Sequence, residues 1–149
     1  MMRCALLVLL GLLVSLGAQP AEARRNRRVW SGLVMASNRP HPMPAAPRPM
    51  HQLHATLQRT FGYNQFEVIG QSHRILRNGQ GDWLAASKHF SLHVDTRGVT
   101  RDGYRVHLKL YQDRQILLET DATLSQSSPL VIRGPQVGSG QLLLLLVAQ

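Results

Sequence analysis

The sequence predicts a mainly β protein, a small β-sandwich or partly open barrel of six to seven strands with one N-terminal helix. Three observations carry this. From Tyr63 onward the apolar residues recur with a period of two, the spacing of a strand with one wet and one buried face. Turn-rich stretches, Asn78-Gly79-Gln80-Gly81-Asp82 most clearly, punctuate those runs. Helical spacing is confined to Met50–Thr60, where Met50, Leu53, Leu57 and Phe61 form one stripe.

Residues 1–23 read as an export signal. Arg3 gives a positive start, Cys4–Ala18 is apolar, and Ala21-Glu22-Ala23 supplies the small residues of a cleavage site. The apolar run spans about 15 residues, whereas a bilayer-crossing helix needs roughly 20. Cleavage after Ala23 leaves no transmembrane span, and the alternative is an uncleaved anchor. Residues 24–49 form a basic and Pro-rich arm. Arg24, Arg25, Arg27 and Arg28 crowd four like charges together and favour a solvated segment. Val29–Met35 reads as a strand or a docked extended piece. Five prolines between Arg39 and Pro49 favour a semi-rigid extended spacer.

Residues 50–149 form the β-rich domain with one leading helix. Pro49 suits a first helical turn and Gly62 a stop. Phe66 and Val68 open the period-two pattern, and Trp83-Leu84-Ala85 make a short strand. The clearest hairpin sets Phe90, Leu92 and Val94 against Tyr104, Val106, Leu108 and Leu110. If Val94 pairs with Val106, His93 falls opposite His107 and Asp95 opposite Arg105. Ile116–Asp121 and Leu130–Ile132 add shorter strands. Leu142–Val147 is apolar at every position, so the expected place is a central strand, covered on one face by the second sheet. The other face falls to the helix or to Val29–Met35.

Composition excludes several chemistries. The chain has 149 residues, a net charge of +9 and one cysteine. That cysteine, Cys4, lies in the export signal, so the mature chain offers no thiol nucleophile, thiolate metal site or disulfide. No cofactor is expected: neither G-x-x-x-x-G-K-[ST] nor G-x-G-x-x-G occurs. Nor does G-x-S-x-G, and Gly138-Ser139-Gly140 reads as a loop. Asp113, Glu119 and Asp121 come closest to an acidic cluster, with pairing to arginine as the ordinary explanation.

Seven histidines raise the question of a metal. His51 and His54 share one side of the helix, and His93 and His107 occupy the polar faces of the hairpin. Two imidazoles fall short of the three or four ligands zinc takes, so no metal site is assigned and His93 and His107 stay weak candidates. The positive charge suits a polyanion. No nucleic-acid motif is present, which leaves acidic glycan or lipid of the envelope, held through Arg24, Arg25, Arg27 and Arg28.

Three segments, Trp30-Ser31-Gly32-Leu33-Val34, Phe61-Gly62-Tyr63-Asn64-Gln65-Phe66 and Pro129–Pro135 running into Gly140-Gln141-Leu142, resemble a group of uncharacterised small exported bacterial proteins. That resemblance implies a signal peptide, a Pro-rich spacer and one β-rich domain, and brings no activity or site residue. The expected function is an exported, periplasmic or extracellular, non-enzymatic interaction or scaffold module of the bacterial envelope. Its partner is an envelope protein or an acidic glycan or lipid. A small secreted hydrolase using His93, His107 and Asp95 or Asp102 is the alternative; a polyanion binder acting through the basic arm is the second.

Overall fold

A strand with alternating apolar residues buries one face, and a strand apolar throughout must bury two. Those two demands set the layers seen in the computed structural model, which describes residues 28–44 and 47–149. Two four-stranded antiparallel sheets enclose the main core, and one helix covers the far face of the first sheet. In chain order the elements are β1 (Arg28–Ser37), α1 (Arg48–Phe61), β2 (Gln65–Ile75), β3 (Gly81–Ala86) and β4 (Phe90–Val99). β5 (Gly103–Gln112), β6 (Gln115–Ser125), β7 (Leu130–Val137) and β8 (Gly140–Ala148) complete the set. The first sheet runs β2-β1-β8-β7 and the second β3-β4-β5-β6.

The two-sheet architecture agrees with the expected sandwich, and neither sheet closes into a barrel. Among the described residues eight strands form, however, not six or seven, and the helix follows the first strand. Val29–Met35 lies within β1, hydrogen-bonded between β2 and β8, so the folded unit takes in residues ahead of the helix. β1 alternates sides: Val29 and Leu33 enter the inter-sheet core, and Trp30, Val34 and Ala36 pack under the helix. With both faces covered, its apolar pattern lacks the wet positions that mark a half-buried strand.

β8 meets the expectation for Leu142–Val147. Leu142, Leu144 and Leu146 point between the sheets, and Leu143 and Leu145 point to the helix layer. All five are 0% exposed. β1 and β7 flank it, so its backbone is paired on both edges. Of the two expected covers for its second face, the helix is the one found.

The helix exceeds its expected span by Arg48 and Pro49 at one end and Phe61 at the other. Pro47 precedes it in extended conformation, and a proline in the first turn loses no intrahelical bond. Gly62 ends it at φ 74°, its N–H donating to the Gln58 carbonyl at 3.0 Å. That left-handed conformation costs a residue with a Cβ about 1–2 kcal/mol. Met50, Leu53 and Leu57 are the buried stripe.

The β4–β5 hairpin has a different register from the one expected. Val94 pairs with Leu108 and Thr96 with Val106, so Asp95 faces His107 and His93 faces Lys109. The offset is two residues, which keeps every side chain on its own face; hydrophobic alternation cannot distinguish the two registers. The turn decides. Thr100 N–H donates to the Gly103 carbonyl at 2.8 Å, and a bulge between Thr96 and Gly98 absorbs one extra residue.

Candidate functional site

Among the described residues, no helix or strand covers the outer face of the second sheet. Its side chains come from alternate positions of four strands, and the register sets them in rows. Trp83, His93, Lys109 and Glu119 form one row, and Gly81, Asp95, His107 and Asp121 the next. The ordering is that of the pairing itself, so residues far apart in the chain meet because their strands are neighbours.

The second row holds the tightest polar group on this face. His107 is 9% exposed. Its Nδ1 lies 2.7 Å from Asp121 Oδ1 and its Nε2 lies 2.7 Å from Glu119 Oε1. Ionised carboxylates only accept hydrogen bonds, so both ring nitrogens must donate and the ring is an imidazolium. The hydrogen bonds to Asp121, then to Glu119, hold the His107 pKa above its ordinary 6.5, against burial and the nearby Arg97 charge. Reciprocally, the His107 bond lowers the Asp121 pKa. Arg97 approaches the same Asp121 oxygen at 3.5 Å. With each nitrogen committed to a carboxylate, His107 has no lone pair to serve as a general base or to bind a metal.

His93 lies one row away. Its Nδ1 is 3.9 Å from Asp95 Oδ1, beyond hydrogen-bond range, and is buried with no hydrogen-bond partner among the described residues. Gly81 makes room for this pair: a Cβ there would stand 2.8 Å from the Asp95 carboxylate and 3.1 Å from the His93 ring. Trp83 packs edge-on against His93, ring centres 4.9 Å apart, and tilts over Tyr111 at 5.4 Å. It is 54% exposed. The face is therefore aromatic toward Trp83 and Tyr111 and ionic toward His107 and Arg97.

The other sequence-derived candidates disperse. His93 and His107 are not opposite each other, because of the register described above. Asp113 sits in the β5–β6 turn, 3.6 Å from His89, away from Glu119 and Asp121. Asp102 lies in the β4–β5 turn, where its backbone carbonyl accepts the Gln126 amide at 2.9 Å. On the helix, His54 packs edge-on against Phe66 and His51 is exposed. Ser139 lies in the β7–β8 turn. No group of three His, Cys, Asp or Glu side chains among the described residues could hold a metal. No helix among them is long and apolar enough to cross a membrane.

Of the basic arm, Arg24, Arg25 and Arg27 lie outside the described residues. Arg28 opens β1, exposed, at the end of the sandwich where the β2–β3 turn also sits. A cavity of about 520 Å³ opens there. Sequence reasoning missed its second half, Arg74 and Arg77. They stand apart as single charges in the chain, and only the β1–β2 register, with Val29 opposite Arg74, brings them to Arg28.

No protein-family model, curated protein or solved structure matches this chain.

Proposed function

We propose that this chain is an exported, non-enzymatic interaction module of the bacterial envelope, periplasmic or extracellular. One observation carries the reading. The outer face of β3–β4–β5–β6, which no described helix or strand covers, presents a half-exposed tryptophan beside a polar network whose central histidine is fully occupied by carboxylates. Such a face has contact groups, and its most tightly held histidine, His107, is engaged on both nitrogens. Exposed aromatics with polar neighbours are the residues that contribute most to protein recognition. Export rests on the composition of residues 1–23.

A photo-reactive residue in place of Trp83 tests this in the producing bacterium. The reading expects a discrete cross-linked species in the envelope fraction, absent when the photo-reactive residue replaces the exposed Arg114 instead. Retention in the cytoplasm, or a purified protein with hydrolase turnover that His107→Gln abolishes, contradicts it.

A further inference from the structure

A second surface, separate from the face around Trp83, carries an inference that the interaction reading does not contain. The cavity at the arm end of the sandwich lies between the β2 edge of the first sheet and the start of β3 in the second. Arg28, Arg74 and Arg77 line it with His73 and Gln80, and Asp82 is the single acid. All three arginines are exposed, and none takes part in an ion pair among the described residues. Three guanidinium groups around one concavity repel one another, and an anion placed among them removes that repulsion.

We infer that this cleft is a binding site for a linear acidic polysaccharide. Guanidinium forks match carboxylate and sulfate groups through paired hydrogen bonds. The Gln80 amide and the His73 ring offer neutral partners for sugar hydroxyls beside them. The volume falls within the roughly 300–1,000 Å³ of ligand clefts, so the site has room for a saccharide unit. A lipid surface is the poorer match. It cannot enter a concavity, and Ile75, 37% exposed, is the only apolar side chain lining the cleft.

Immobilised heparin serves as the acidic polysaccharide, and vesicles containing phosphatidylglycerol as the anionic membrane. Wild-type protein binds heparin with strong salt dependence and leaves the vesicles in free solution. Arg74→Gln with Arg77→Gln weakens heparin binding at least tenfold at 0.1 M salt. The same change lowers the slope of log affinity against log salt by about two, one for each charge removed. Asp82→Asn tightens binding. Arg101→Gln with Arg114→Gln removes the same charge from exposed positions outside the cleft and changes affinity less than threefold. Unchanged melting temperatures show that the variants fold.

Equal losses from the two double variants would mean general charge attraction and would overturn the site. Vesicle binding as strong as heparin binding would overturn the ligand class. Absence of heparin binding by wild-type protein rejects this inference and leaves the Trp83 cross-linking result to decide the interaction reading on its own.

Discussion

Leu143 and Leu144 are adjacent in β8, yet they belong to different layers. Leu144 sits between the sheets, and Leu143 packs with Met50 and Leu57 beneath the helix. Both are 0% exposed. Truncation of either to alanine leaves a cavity that rigid strands on both sides cannot fill, at a cost of about 2–5 kcal/mol. Against the roughly 5–15 kcal/mol that holds a domain together, each is a severe lesion. The two clusters share no buried side chain, so the double variant should lose more stability than either single. Urea unfolding provides the assay, with Trp30 as the probe because it is buried in the helix layer. Leu144→Ala lowers the midpoint without changing the slope, and Leu143→Ala does the same. A loss under about 0.5 kcal/mol for Leu143→Ala would refute the claim that the helix seals the far face of β8. A double variant no worse than either single would refute the separation into two layers.

Three further outcomes follow from local geometry. The His107 pKa is raised on folding, so the stability it contributes is complete below pH 6.5 and is lost as pH rises through its elevated folded value. Asp121 is lowered, so its share is present above pH 3.8 and is lost as pH falls through its depressed folded value. Melting temperature should therefore fall as pH rises above 6.5, and His107→Gln should flatten that part of the profile; an unchanged profile contradicts the imidazolium assignment. Gly62→Ala forces a Cβ into a left-handed conformation and should destabilise the protein by about 1 kcal/mol by urea unfolding. Trp83→Ala should leave the unfolding free energy within about 0.5 kcal/mol of wild type, since the ring is half exposed, while removing the protein's solvent-accessible tryptophan emission.

The layers of this fold are readable in the chain wherever one periodicity dominates. Leu142–Val147 announces a doubly covered strand because it has no polar position to offer water, and β8 fulfils that expectation. The Met50–Leu53–Leu57 stripe and Gly62 mark a helix and its stop in the same way. β7 is harder to read, since Gly134 and Pro135 interrupt it, and β1, read as a strand or a docked extended piece, lacks the wet positions that would decide between the two. The site is less legible for a sharper reason. Bringing His107 to Glu119 and Asp121 depends on the β5–β6 register, and a shift of two residues preserves every hydrophobic pattern while exchanging every polar neighbour. The Arg28–Arg74–Arg77 cleft depends on long-range pairing that charge counts along the chain cannot reveal.

The proposed polyanion site lies at the end of the sandwich where Arg28, Arg74 and Arg77 line the cleft. Amide chemical shifts recorded by NMR during titration with a short heparin fragment test that most directly. Changes are expected at Arg28 and across residues 73–82, growing with ligand and reversed by salt, with Lys109 and Glu119 on the outer face of the second sheet unmoved. Shifts centred on Trp83, Lys109 and Tyr111, or spread evenly over exposed arginines such as Arg101 and Arg114, would contradict it.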